Sequence, residues 1–166
     1  MHRRDFFNED SPNVAKKLIG CRLVYQGQSA IISETEAYAG SDDPASHAYS
    51  GMTKRNALMF DQPGHAYIYL IYGMHLCFNV TTSPKGTPGS VFIRAVTIKQ
   101  KNIDGPGKLT KALGITMDDY GKDLCQHPDF MIDQGIDVSD DQITQSPRIG
   151  ITKGLDKQWR FSINNK

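Results

Sequence analysis

In the run Glu34-Thr35-Glu36-Ala37-Tyr38, two carboxylates are separated by one residue and an aromatic hydroxyl follows at the same interval. In an extended strand alternate side chains share a face, so Ile32, Glu34, Glu36 and Tyr38 are expected to point one way and Ile31, Ser33, Thr35 and Ala37 the other. The carboxylates would then lie roughly 6.6 to 7 Å apart along the strand, comparable with the paired acids that cleave glycosidic bonds. A solvated edge strand with two exposed glutamates has the same pattern. Arg94 interrupts the apolar run Val91-Phe92-Ile93-Arg94-Ala95-Val96. A guanidinium there either points outward on a one-sided sheet or meets an anion that offsets its desolvation. Glu36 is the candidate partner, and a carboxylate kept ionised by such a pair can orient and deprotonate a water.

A second tool lies in Tyr67-Ile68-Tyr69-Leu70-Ile71-Tyr72-Gly73-Met74-His75. Gly73-Met74 reads as a two-residue hairpin loop with glycine first, as a type II′ turn prefers. Tyr72, the last residue before it, would project a flat side chain from a stiff tip, as proteins that wedge apart base steps require. These tyrosines are equally consistent with ordinary strand positions, ring buried and hydroxyl wet. With a two-residue turn Tyr72 would pair with His75 and Ile68 with Asn79, which puts Asn79 on the Tyr72 face and Tyr69 on the other. Lys54 and Arg55 are the basic pair chosen as phosphate contacts. His47, His65 and His75 show no H-E-x-x-H or similar spacing, so no metal is expected. Gly105-Pro106-Gly107-Lys108 is superficially like the hairpin of helix-hairpin-helix lyases, whose lysine forms a Schiff base, but only one such turn is evident.

The elements that must position these groups follow from the rest of the chain. Its 166 residues suffice for one domain with a hydrophobic core and are too few for two ordinary ones. A net charge of +1 gives no global pull toward nucleic acid, so any affinity for it must be local. The three cysteines, Cys21, Cys77 and Cys125, are widely spaced and unpaired in pattern, which points to a reducing compartment. No apolar leader follows Met1-His2-Arg3-Arg4-Asp5 and no run is long enough to span a bilayer, so a soluble intracellular protein without a membrane partner is expected.

Ser11 reads as the cap of a helix with Pro12 at its first position, stopped at Gly20. Residues 21–25 and 30–38 form a hairpin about residues 26–28, and residues 40–64 a long loop with a short helix near 56–60. Strands are expected over 65–72, 75–82 and 91–98, and a helix between Gly107 and Gly114. A second short helix is expected over 118–124, and a closing hairpin from 149–151 and 159–163. Residues 128–145 are mixed and acidic. The expected fold class is α+β: one domain over residues 1–166, mostly antiparallel curved sheet, with a protruding hairpin and short peripheral helices.

Taken together, E-T-E-A-Y, His47-Ala48, T-x-R-N at 53–56, Met59-Phe60, Pro63-Gly64, Y-x-Y-x-I-Y-G-M at 67–74 and C-x-N at 77–79 resemble the alkyladenine (3-methyladenine, methylpurine) DNA glycosylase family of base-excision repair. Ile93-Arg94-Ala95, Gly105-Pro106 with Lys108-Leu109, Ala112-Leu113 and Arg148-Ile149-Gly150 extend the resemblance almost to the C-terminus. It implies a monofunctional glycosylase that needs no cofactor and hydrolyses the N-glycosidic bond of an alkylated or deaminated purine flipped from double-stranded DNA. By that resemblance Glu36 is the general base, and Arg94 with the main-chain carbonyl of Ile149 holds the water. Tyr38, His47 and Tyr69 wall the base pocket, Asn79 sits at its mouth, Tyr72 fills the gap left in the duplex and Met74 lies beside it.

For Tyr69 and Asn79 to line one pocket, a β-bulge or strong twist must intervene in the expected hairpin. His75 stands where the animal members carry an aromatic hydroxyl residue. A one-sided wedge needs no partner subunit, so a monomer is expected. Two rivals stay open on the residues alone: a helix-hairpin-helix-type glycosylase/lyase and a non-catalytic binder of damaged DNA.

Overall fold

In the computed structural model, which describes residues 2–164, the alternating runs pair into one curled antiparallel sheet. The chain begins with a single turn, α1 (Arg4–Phe7), and then α2 (Ser11–Leu18). Asp10, not Ser11, caps α2, accepting the Asn13 N–H. Ser11 is instead buried and donates its hydroxyl to the Tyr38 carbonyl at 2.8 Å, tying the helix start to the end of a strand. β1 (Arg22–Tyr25) returns through Gln26-Gly27, both at positive φ, into the eleven-residue β2 (Gln28–Tyr38).

After the long loop, whose Ala57–Phe60 segment is a 3-10 turn, come β3 (Ala66–Ile71), β4 (His75–Thr81), β5 (Ser90–Ile98) and β6 (Lys101–Asp104). α3 (Pro106–Leu113) follows, closed by Gly114 in the left-handed region that a Cβ disfavours. The last strands are β7 (Phe130–Asp133), β8 (Ile143–Ser146) and β9 (Arg160–Ile163).

The strand order is β3-β4-β5-β2-β1-β7, with β6 against β5 and the β8–β9 hairpin against β2. β2 is the hub. One edge pairs with β5, while the other takes β1 at residues 28–31 and β9 at residues 34–36. One face of the sheet is apolar and covered by α2 and α3. Val14, Ala15, Leu18, Leu109 and Leu113 pack there on Ile68, Phe78, Val80, Val91 and Ile93. Burying that face supplies the main driving force for the fold. The other face carries the polar and aromatic residues singled out above.

Besides the cap of α2, three expectations are corrected. The 118–124 helix is only a 3-10 turn, Met117–Asp119. The chain beyond it instead runs along the edge of β3, where the Gly121 N–H donates to the Ala66 carbonyl and the Ala66 N–H to Lys122. Backbone groups spent on an edge strand cannot close a helix. The closing hairpin uses Ile143–Ser146 rather than 149–151 as its first arm. Pro147 has no N–H to extend that ladder, and the residues after it are drawn into the opposite face.

The third concerns the tyrosine hairpin. Ile71 pairs with His75, Tyr69 with Cys77 and Tyr67 with Asn79, so the tip is three residues, Tyr72-Gly73-Met74. Tyr72 and Gly73 both have positive φ, and the Met74 N–H donates back to the Ile71 carbonyl. This shift of one residue swaps the face of every side chain on one arm relative to the other. Tyr69 and Asn79 therefore share a face without any bulge in this hairpin.

Candidate active site

The ladder registers place Tyr67 opposite Asn79, Asn79 opposite Phe92, Phe92 opposite Glu36 and Glu36 opposite Arg160. This row crosses five strands on the face away from the core. Two irregularities set how β2 and β5 meet beside it. Ile32 pairs with Val96, Glu34 with Ala95 and Thr35 with Ile93, leaving Ser33 on β2 and Arg94 on β5 each without an opposite number. The extra Ser33 breaks the expected alternation: Ile32 and Thr35 are both buried on the core side, so Ile32 does not share a face with Glu34 and Glu36. The break is a β-bulge, which locally re-aims side chains.

Glu36 is fully buried, at 0% exposure. Its Oε1 accepts from the Tyr38 hydroxyl at 3.0 Å and from Arg94 Nη1 at 3.4 Å, and its Oε2 from the main-chain N–H of Ile149 at 2.6 Å. The Arg94–Glu36 pairing is thus present, and Arg94 favours the ionised carboxylate as expected, against the opposing effect of burial. Burial pushes the Glu36 pKa above its ordinary value, and the attraction of Arg94 and the hydrogen bonds from Ile149 and Tyr38 offset that only in part. A carboxylate removed from water loses more than a cation at 3.4 Å returns. A base with a raised pKa is a better proton acceptor near neutral pH.

Beside this carboxylate lies a cavity of about 510 Å³, within the size range of small-molecule sites. Tyr38, Arg94 and Ile149, the three partners of Glu36, all line it, as do His47, Tyr67, Tyr69, Asn79 and Phe92. The walls interlock. The ring centroids of His47 and Tyr69 are 4.6 Å apart, His47 Nδ1 is 3.1 Å from the Tyr67 hydroxyl, and Asn79 Nδ2 donates to the Tyr67 carbonyl. Burial, reinforced by Arg55, lowers the His47 pKa, which favours a neutral imidazole. Burial likewise raises Tyr38 and Tyr69, keeping both hydroxyls protonated. The lining is a set of aromatic faces with a few fixed donors, suited to a flat heteroaromatic ligand.

The structure therefore brings Glu36, Arg94, Ile149, Tyr38, His47, Tyr69 and Asn79 together. Ile149 reaches Glu36 through its N–H, a contact the sequence did not suggest. Tyr72 and Met74 stand at the hairpin tip, Tyr72 89% exposed and also on the cavity rim. Lys54 and Arg55 lie apart from the cavity, on a shallower groove along the β3 edge with Leu70, Met117 and Tyr120.

Two neighbours of the site were given no role by the sequence. Phe92 forms part of the cavity wall, and Arg148 organises the segment that carries Ile149. The Arg148 guanidinium is fully buried in a bidentate pair with Asp43, at 2.7 and 2.8 Å. It also donates to the Ala37 carbonyl and stacks over Tyr38, its carbon 4.7 Å from the ring centroid. Burial alone would raise Asp43, but its bonds from Arg148 and from the Ala39 and Ala45 N–H groups bring it below the ordinary carboxylate value. Nothing in the local sequence pairs Asp43 with Arg148. Among the described residues no group of three His, Cys, Asp or Glu side chains is gathered as metal ligands would be, and no helix is long and apolar enough to cross a membrane.

The profile of the methylpurine-DNA glycosylase family matches residues 5–166 of this chain. A protein of Ehrlichia chaffeensis named "Putative 3-methyladenine DNA glycosylase" is 44% identical over 166 residues, covering 97% of this chain and 92% of the relative. A protein of the same name from Rickettsia rickettsii (strain Sheila Smith) is 45% identical, covering 98% of this chain and 89% of its own. Another from Ehrlichia ruminantium (strain Welgevonden) is 43% identical, covering 97% and 88%.

Proposed function

From the premise that this chain belongs to the methylpurine-DNA glycosylase family and is a hydrolase acting on N-glycosyl bonds, we propose that Glu36 activates a water against the sugar of a damaged purine nucleotide turned out of duplex DNA. The observation that carries this reading is the buried Glu36 carboxylate, whose three partners Tyr38, Arg94 and Ile149 all line an aromatic cavity. In the reaction the water oxygen bonds to C1′ as the bond from C1′ to the purine nitrogen breaks. The water proton passes to Glu36, and the purine departs with the bonding electron pair. A cationic 3-methyladenine leaves as a neutral base, so no strong acid is needed opposite Glu36.

Extrusion costs least for a damaged or mismatched base, and the pocket offsets that cost by stacking the base on Tyr38, His47 and Tyr69. A positively charged alkylpurine gains further from electron-rich rings. Asn79, fixed on the Tyr67 carbonyl at the cavity wall, limits the exocyclic groups that fit. Tyr72 occupies the vacated place in the duplex with Met74 beside it, while Lys54 and Arg55 contact phosphates. A water-using reaction of this kind needs no Schiff-base nucleophile, and Lys108 takes no part in it. A one-sided wedge needs no partner subunit, so the protein acts as a monomer on double-stranded DNA.

The test is incubation with duplexes containing 1,N6-ethenoadenine, hypoxanthine or 7-methylguanine, followed by alkaline cleavage of abasic sites. Base release without borohydride-trapped adduct, lost in Glu36→Gln but with DNA binding kept, is expected. Full excision by Glu36→Gln would sink the assignment of the base.

A further inference from the structure

The mechanism above uses Glu36 and leaves Glu34, the other carboxylate of the E-T-E run, without a task. Glu34 forms ion pairs with two cations. Arg94 Nε lies 3.4 Å from Glu34 Oε1 while the Nη1 of the same guanidinium lies 3.4 Å from Glu36 Oε1. Arg160 Nη1 reaches the same Glu34 oxygen at 2.9 Å, and Arg160 Nε donates to the Ser146 hydroxyl. The chain of charges is therefore Glu36, Arg94, Glu34, Arg160, with signs alternating at each step. Side-chain exposure is 0% at Glu36, 16% at Arg94, 15% at Glu34 and 25% at Arg160, so the chain leads from the interior toward the surface.

We propose that Glu34, neutralised by Arg160, is a positioning residue that orients the Arg94 guanidinium beside Glu36 and, as a nearby like charge, tunes the proton affinity of the base. This rests on the assignment of Glu36 as that base. The extra residues at Ser33 and Arg94 set the local phase of β2 against β5 where Arg94 reaches both glutamates. Phe92 supports the guanidinium from the side, its ring centroid 5.4 Å from the Arg94 carbon. Arg94 Nε is buried and makes no hydrogen bond among the described residues. Its hold on Glu34 is thus an ion pair that depends on charge, which a neutral isostere cannot replace.

The groups facing Glu36 come from five segments. β2 supplies Tyr38 and Glu34, β5 supplies Arg94, β3 supplies Tyr69, the 148–149 segment supplies the Ile149 N–H with Arg148 behind Tyr38, and β9 supplies Arg160. α2 covers the opposite face of β2, where Lys16 and Lys17 pair with Asp140 and Glu9. Of these groups, Glu34 pairs with Arg94 and also acts directly on Glu36 as a like charge, while Arg160 pairs with Glu34 from the strand opposite. Removing the Glu34 charge lowers the proton affinity of Glu36, since a nearby like charge raises it. Removing Arg160 alone leaves Glu34 unneutralised and has the opposite sign.

The experiment is the pH dependence of the single-turnover excision rate on a methylated duplex, with Glu34→Gln, Arg160→Gln, Arg160→Lys, the Glu34→Gln/Arg160→Gln double variant and Glu36→Gln. In Glu34→Gln the acid limb moves to lower pH because the like charge is gone, and the plateau falls about tenfold because the guanidinium, still paired with Glu36, loses its fixed orientation. In Arg160→Gln the limb moves to higher pH, Arg160→Lys restores it toward the parent, and in the Glu34→Gln background the Arg160→Gln shift disappears. An unmoved limb in Glu34→Gln, or an equal Arg160→Gln shift in both backgrounds, overturns the proposal even if Glu36→Gln is inactive. An active Glu36→Gln would instead overturn the assignment of the base.

Discussion

The main-chain N–H of Ile149 lies 2.6 Å from Oε2 of Glu36, joining positions 113 residues apart in the chain. With the Tyr38 hydroxyl and Arg94 on the other oxygen, the carboxylate is held from three directions while cut off from bulk solvent. The site is thus preorganised by a strand, a neighbouring strand and a segment near the end of the chain. The expected consequences concern stability as much as rate.

Glu36→Gln should lose excision by a factor of about 10² to 10⁴, the usual contribution of a positioned base, and yet gain heat stability at pH 7. A carboxyl whose pKa is raised on folding binds its proton more tightly in the folded chain. Stability therefore falls as pH climbs from the ordinary value of 4.5 through the raised one. The glutamine variant lacks that loss. Unfolding temperatures of both proteins across pH should diverge above pH 4.5 and converge below it. Parallel curves would contradict the desolvation of Glu36.

Tyr38→Phe should move the acid limb of the excision rate to higher pH. The hydroxyl donates to the ionised Glu36, and its loss leaves burial less opposed. A hydrogen bond to a charged group is worth about 1.5–3 kcal/mol, so the rate on the acid limb should fall roughly ten- to hundredfold. A pH–rate profile of the variant checks both the direction and the size.

Arg148→Met should destabilise the fold by about 3–5 kcal/mol, because it strands a buried Asp43 carboxylate. The double variant Asp43→Leu/Arg148→Met should lose less than the two single variants added together, since it removes both charges. Urea denaturation of the four proteins measures the coupling. Additive losses would mean that the pair is not the link between residues 43 and 148.

Tyr72→Gly should leave stability unchanged or raise it by about 1 kcal/mol, since the side chain is 89% exposed and its φ of 51 suits glycine. The wedge assignment nevertheless requires a marked loss of excision from duplex DNA. Excision from the same lesion in a single strand should change little, because there is no gap in a stack to fill. Equal losses on both substrates would place Tyr72 in the pocket chemistry instead.

Much of the sheet was legible in local pattern. Alternation over residues 30–38, the glycine turn between 65–72 and 75–82 and the apolar run at 91–98 located β2, β3, β4 and β5 to within a residue or two. Glycine marked the end of α3 for a steric reason. β6 was missed as a short polar segment without alternation, and Asp10 took the capping role read onto Ser11 because Ser11 is buried against Tyr38 and Thr82.

By itself, the sequence determined which residue types were available and which strands would carry them: two carboxylates on β2, an arginine within β5 and tyrosines on β3. Tertiary structure decided their relative phase. Whether the hairpin tip holds two residues or three, and whether Ser33 and Arg94 drop out of register, depends on pairing and core burial summed over whole strands rather than on any local preference. The Asp43–Arg148 pair and the Ile149 contact to Glu36 lie further still from local pattern. They exist because β2 and the 148–149 segment are brought together in space, and a buried charge or amide there has to find a partner wherever the chain supplies one.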